Sequence, residues 1–385
     1  MSIVHIKRKQ TTGLNMSEIT LQLFNKGRWW DAARLNFKGE RMNDGVTLTY
    51  LHEYLKDSPH YGVSDCWACS VNAQRFNISD VARLQHDFLE YANAQGAAVG
   101  GATGAGGVAP KLLLMVEDDQ VYIDGDFAGK PLAAIPYLTK FARNTRSTRD
   151  NDILRAEGVF YQVLDELLAD TPIETIAVSH MLTLEHESQV SLWLPRFDIQ
   201  TKDGVASRIG MESIYSIINT DPGSYQNHFD VMRRVWKKIK SSTCMSSDDF
   251  AKQYLARDLL NLVFGNSDNH GRNISFLKFE GDIQFAPIYD FAPMKADPEM
   301  VTRLFKWGSD FESGGQVRFD LIVKALDDFC APEDLLAFLN DLAQRLVGVP
   351  ERLEHYGCPE SIFEFPAIGF RDLPNKLRNF GVTYD

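Results

Sequence analysis

The chain of 385 residues is 44% hydrophobic and 24% charged, a soluble globular balance that excludes whole-chain disorder, a collagen-like fibre and a disulfide-rich secreted scaffold. Its length exceeds that of a usual single domain and can bury a sizeable core without disulfide or metal staples. Fifty-two acids against 40 Lys and Arg leave a formal charge of −12, which disfavours broad electrostatic capture of nucleic acid or of an anionic membrane.

No window of about 20 apolar residues exists, so no membrane-spanning helix is expected. The charged start, Met1 to Lys9, has no apolar segment behind it, so no secretory signal is expected. Five cysteines, an odd number spread over a long chain, point to a reducing cytoplasm. Cys66-Trp-Ala-Cys69 has the spacing of a redox or zinc half-site, but it lacks a second ligand pair, and two ordinary thiols is the simpler reading.

Residues 1–95 read as a small α/β module. Thr20–Phe24 and Ala32–Phe37 are strand-like around Asn25-Lys26-Gly27, a hairpin signal. Asp80–Ala94 has helical apolar spacing with Gly96 as its stop. Residues 96–198 read as a nucleotide-binding lobe. Six glycines fall in the twelve residues 96–107, where average usage predicts roughly one. Strand-like runs follow at Lys111–Val116, Gln120–Asp124 and Ala134–Ala142, then an amphipathic helix over Ile153–Leu168 that carries Glu157. Thr175–Leu184 and Gln189–Phe197 read as antiparallel strands. Residues 199–385 read as mostly helical, with helices at Phe229–Ile239, Ser247–Phe264, Phe319–Phe329, Pro332–Leu346 and Phe370–Asn379. One exception is expected there, a hairpin of Ile274–Phe279 and Ile283–Ala286. This is an α+β pattern in two lobes, with a mixed N-terminal half of antiparallel strands and a mostly helical C-terminal half. It suits a ligand at the lobe junction.

The segment Leu259 to Asn273 runs from an apolar helix through Gly265 into a polar loop that begins with Asp268. Phosphoryl transfer needs a carboxylate at the attacking hydroxyl and hard oxygen ligands for Mg²⁺, both rigidly held. Asp268 fits the base and Asn273 a metal ligand; Asp290, beyond the hairpin in Tyr289-Asp290-Phe291, fits a second metal ligand. The alternative is a polar loop whose Asp and Asn cap local backbone.

Thr103 to Lys111 offers side-chain-free backbone at Gly104, Gly106 and Gly107 and an ammonium at Lys111, a cradle for polyphosphate or a flexible linker. The Walker pattern is absent, because Pro110 precedes the lysine and Leu112 follows it. Lys140, flanked by apolar residues on a strand after that loop, could contact phosphate with Glu157 as its ion-pair partner, or it could snorkel from an edge strand. Leu192 to Asp198 is a breaking strand whose backbone at Pro195 and Phe197 could meet adenine. There the proline can only accept, whereas Phe197 retains an N–H donor.

Taken together these motifs resemble the HipA family, serine/threonine kinases that serve as toxins in bacterial toxin–antitoxin pairs. The catalytic G-x-x-D-x-H-x-x-N pattern lies on Gly265, Asp268, His270 and Asn273, and the A-P-x-Y-D segment lies on Ala286 to Asp290. The resemblance implies a protein-kinase-like fold, ATP and Mg²⁺ as cofactors, Asp268 as base, Lys140 as phosphate contact, and Asn273 with Asp290 as metal ligands. His270 would orient the loop or approach the nucleotide. It also implies a protein substrate in the translation machinery, such as an aminoacyl-tRNA synthetase, and restraint by a small DNA-binding antitoxin. The family's hinge Glu is Pro195 here, and its self-phosphorylated serine falls at Gly104, with Thr103 beside it. A small-molecule phosphotransferase and a nucleotide-binding pseudokinase are the alternative readings.

Overall fold

The structure is a computed structural model that describes residues 4–7, 18–25, 28–37, 46–50, 76–78, 109–117, 119–123, 134–143, 147–202 and 205–384. The expected helix over Asp80–Ala94, the glycine tract 96–107 and the Cys66/Cys69 pair lie outside the described residues.

Four antiparallel strands come first, β1 Val4–Lys7, β2 Glu18–Asn25, β3 Arg28–Phe37 and β4 Val46–Tyr50, paired in chain order. Asn25 pairs with Arg28, so β2 and β3 form the hairpin that the signal predicts. Both strands outrun their apolar runs, because a strand ends where its partner ends, not where its hydrophobic alternation stops.

A six-stranded antiparallel sheet follows, built from β5 Phe76–Asn77, β6 Lys111–Glu117, β7 Gln120–Ile123, β8 Ile135–Phe141, β9 Leu182–His186 and β10 Gln189–Pro195. Their order is β5-β7-β6-β8-β10-β9. Side chains alternate between faces along each strand. Leu112, Leu114, Tyr137, Phe141 and Trp193 make a small core on one face. Lys140, aligned with Lys111 on one side and Leu192 on the other, belongs to the opposite face.

Helix α1, Thr148–Leu168, covers that opposite face. Ser147 caps it by accepting from the Asp150 amide, and its apolar positions are buried. Gly158 sets the distance of approach, since a Cβ there would lie 3.1 Å from Thr183 Oγ1 and 3.2 Å from Leu192 Cδ1. The expected strand at Thr175 begins instead at Leu182, after a 3-10 turn over Val178–His180. Ile173 and Ile176 turn into the helical core instead of pairing in the sheet, and Thr175 keeps a single bridge to Ile288.

Beyond residue 198 the chain holds more strands than the one expected hairpin. A short ribbon joins β11 Ile199–Lys202 to β12 Val205–Arg208. A strand β13, Gly210–Ser213, pairs with β14 Ser275–Phe279, which pairs with β15 Asp282–Phe285. The unforeseen strands are two or four residues long, too short for alternation to stand out. Helices α2 His228–Ile239, α3 Ser247–Phe264 and α4 Pro332–Leu346 match expectation closely. The expected helix over 319–329 is instead one α turn, Phe319–Ile322, and a 3-10 turn, Val323–Leu326. At 370–379 the α-helix starts only at Leu373, since Pro374 is tolerated in a first turn and not deeper. One large hydrophobic core runs from Ala142 to Val382 and includes α1 with the C-terminal helices. Among the described residues no helix is long and apolar enough to cross a membrane.

Candidate active site

Strand β8 delivers Lys140 under α1, where only 3% of the residue is exposed. Its Nζ lies 2.5 Å from Glu157 Oε1 and 2.5 Å from Asp290 Oδ1. Burial alone would lower its pKa, but the two carboxylates reverse that and raise it. Lys111, beside Lys140 in register, sets its Nζ 3.0 Å from Asp290 Oδ2. Like charges side by side on strands repel. Here one carboxylate between them supplies the countercharge.

Asp290 follows β15 with φ +52°, in the left-handed region that few non-glycine residues adopt. Burial would raise its pKa, yet the Lys111 and Lys140 ammoniums overcome this and hold it well below the usual carboxylate range. It is therefore a carboxylate at neutral pH.

The loop carrying Asp268 starts where α3 ends. Gly265 closes the helix at φ +71°, and a Cβ there would stand 2.7 Å from Ile368 Cγ1. Asn266 then ties the two acidic segments together. Its Oδ1 accepts from the Asp268 amide at 3.2 Å, and its Nδ2 donates to the Asp290 carbonyl at 3.3 Å. Asn273 closes the loop by donating from Nδ2 to the Asp268 carbonyl at 2.8 Å. His270 Nε2 is 3.5 Å from Asp268 Oδ1. Burial raises the Asp268 pKa; the His270 ring pulls against it and the Asp290 carboxylate adds to it.

Lys111, Lys140, Glu157, Asp268 and Asp290 line one cleft of about 260 Å³, whose other end holds Arg143, Asp150, Asp297 and Glu299. Arg143 bridges Asp150 at 2.9 Å, Asp297 at 3.5 Å and Glu299 at 3.0 Å. Asn273 does not line this cleft. It borders a polar cavity of about 20 Å³ beneath the loop, with Arg257, Asn266 and Tyr289. Pro195 and Phe197 also stand outside the cleft lining: Pro195 pairs with Tyr137 in the sheet, and the Phe197 ring sits 5.5 Å from that of Tyr289. Gly104, Gly106 and Gly107 lie outside the described residues.

The donor set suits Mg²⁺ with a polyphosphate. Asp290 is an ionised hard oxygen ligand, two ammoniums flank it, and Mg²⁺ usually takes one or two protein oxygens and completes its shell with phosphate and water. Several residues of the site escaped the sequence reading: Arg143, Asp150, Asp297 and Glu299 in the cleft lining, and Tyr161 and Asn266 behind it. Tyr161, fully buried, hydrogen-bonds Glu157 and the Phe291 amide, and its only sequence signal is its place four residues after Glu157, on the same helix face. Asn266 was hidden in a run of polar loop residues.

Residues 103–347 match the family described as HipA-like C-terminal domain. The chain is 28% identical over 204 residues to toxin YjjJ of Escherichia coli (strain K12), an alignment covering 51% of this chain and 41% of that protein. It thus spans less than half the length of this curated relative. Its fold resembles a chain in the solved complex of the Shewanella oneidensis MR-1 toxin–antitoxin system HipA, HipB and its operator DNA. That match has a TM-score of 0.55 at 14% identity and covers 88% of this chain and 77% of the other.

Proposed function

The chain belongs to the HipA-like C-terminal domain family, and on that premise we propose that it is an ATP- and Mg²⁺-dependent protein serine/threonine kinase. The observation that carries the reading is the convergence of Lys140, Glu157 and Asp290 on one another in a cleft that Asp268 also lines. Bound MgATP would supply the γ-phosphoryl group and the divalent charge that neutralises it. Lys140 and Lys111 would bind phosphate oxygens and Asp290 would hold the metal, whereas Asn273, which borders the small cavity beneath the loop and not the cleft, fixes the Asp268 carbonyl. Asp268 would accept the proton of the attacking Ser or Thr hydroxyl as that oxygen bonds to the γ-phosphorus and the bond to the β,γ-bridging oxygen breaks, with ADP leaving. His270 steadies the Asp268 carboxylate, and Asn266 keeps the base-bearing and metal-bearing segments at a fixed spacing. The toxin and toxin–antitoxin descriptions of the relatives support an antitoxin partner as restraint, and a translation-machinery protein as acceptor rests on the family resemblance alone.

The test is purified Asp268→Asn. It should retain ATP binding and lose at least 10²-fold in transfer to protein, the usual worth of general-base catalysis. Phosphoproteomics of cells expressing wild type against this variant identifies the acceptor. Undiminished transfer by the variant would refute the assignment.

A further inference from the structure

Lys140, Glu157, Tyr161 and the Asp290–Phe291 peptide close a hydrogen-bonded ring. Lys140 Nζ donates to Glu157 Oε1 and to Asp290 Oδ1, both at 2.5 Å. One residue past Asp290, the Phe291 N–H donates to the Tyr161 hydroxyl at 3.2 Å. That hydroxyl lies 3.1 Å from Glu157 Oε1. It has one proton, so it serves both neighbours only by giving the proton to the carboxylate and accepting from the amide. Glu157 and Tyr161 are 3% and 0% exposed, so water cannot replace either bond.

The ring encloses a backbone that needs holding. Asp290 sits at φ +52°, a conformation that persists in a non-glycine residue only where its surroundings over-determine it. Asn266 fixes the carbonyl side of that residue, and Tyr161 fixes the following amide.

We infer that Tyr161 is a positioning residue for the phosphotransfer proposed above: its hydroxyl holds the Asp290–Phe291 peptide in the left-handed turn that presents the Asp290 carboxylate to the cleft, and ties that turn to the Lys140–Glu157 pair. The catalytic consequence rests on the kinase reading, whereas the geometric role stands without it. Outer groups that orient a metal-binding carboxylate commonly matter by 10–100-fold in metal affinity or activity.

Tyr161→Phe removes the hydroxyl and keeps the ring. Two results are expected. The Mg²⁺ concentration for half-maximal transfer rises about 10-fold, with the rate largely restored at saturating Mg²⁺. Amide exchange at Phe291, followed by hydrogen–deuterium exchange, accelerates, while exchange within α3 does not change. An unaltered Mg²⁺ requirement or unaltered exchange at Phe291 overturns the role; so does a rate loss equal at all Mg²⁺ concentrations, which general loosening would produce. A wild-type chain that transfers no phosphate strikes the kinase reading alone, and exchange at Phe291 then decides the positioning role. Should Tyr161→Phe not fold, Glu157→Leu removes the hydroxyl's acceptor instead, and exchange at Phe291 must again rise or the coupling is refuted.

Discussion

Lys140 Nζ and Asp290 Oδ1 stand 2.5 Å apart although 150 residues of chain separate them. With Glu157 at the same distance on its other side, one ammonium is shared by two carboxylates. Removing it strands the buried Glu157 and leaves Asp290 to Lys111 alone, so Lys140→Met should cost about 3 kcal/mol of stability, read as a lower urea midpoint. Adding Glu157→Leu should recover part of that loss, because the two sites share a contact and their effects do not add. A single variant as stable as wild type would contradict the buried pairing.

Under the kinase reading proposed above, Asp268 sets the acid limb of the rate. Burial raises the Asp268 pKa, and only its ionised form accepts a proton, so kcat/KM should fall on acidification at a pH above the ordinary aspartate value of about 3.9. The His270 ring opposes that rise. His270→Gln should therefore move the acid limb to higher pH. A shift to lower pH would contradict the electrostatics drawn here.

Gly271 lies between His270 and Arg272 with aromatic rings against its Cα. A Cβ there would stand 2.8 Å from the Tyr215 ring and 2.9 Å from that of Phe305. Gly271→Ala should cost about 1–3 kcal/mol and lower phosphate transfer as well, since overpacking displaces the loop. Asp268→Asn should instead lose transfer with its urea midpoint nearly intact, so the pair of variants separates loop placement from chemistry.

His228, which does not line the cleft, makes stability depend on pH. It is fully buried, 2.8 Å from the Tyr254 hydroxyl and stacked on Trp307. Burial pushes its pKa down to about 4, with Arg303 reinforcing and Asp258 opposing. A depressed folded-state value means its contribution is whole above about pH 6.5 and is lost as pH falls towards 4, roughly 3 kcal/mol in all. Urea unfolding between pH 7 and 4 should show this loss, and His228→Gln should flatten it.

The long helices were legible because each carries a periodic apolar face, a cap or a proline at its start, and the residues that meet in the cleft were legible because their chemistry is unusual in context. Lys140, Glu157, Asp268 and Asp290 each had a motif around them. What escaped notice has no local signature. The four-residue strand at 210–213 is fixed by Ser275–Phe279, far along the chain, and those at 199–208 pair with each other over too few residues to alternate visibly. The break at Val323 after a single helical turn follows from tertiary packing, not from a proline or glycine in 319–329. Tyr161 reads as one more apolar position of an amphipathic helix, and its hydroxyl acquires a role only when the Phe291 amide arrives from another part of the chain.

Helix α1 is welded to the C-terminal half through rings: Phe160 meets Phe264, Phe291 and Phe370 with centroids 4.9, 6.1 and 6.0 Å away. The sheet beneath it keeps a separate core of its own on the far face. The near face of the sheet, however, joins the helical block through Val190, Leu192 and Leu194 in the large core, and the Lys140–Glu157 bond adds a charged tie across the same contact. Sliding the sheet under the helix would therefore breach that packing as well as the ion pairs, so the two lysines and Asp290 keep their spacing as parts of one block.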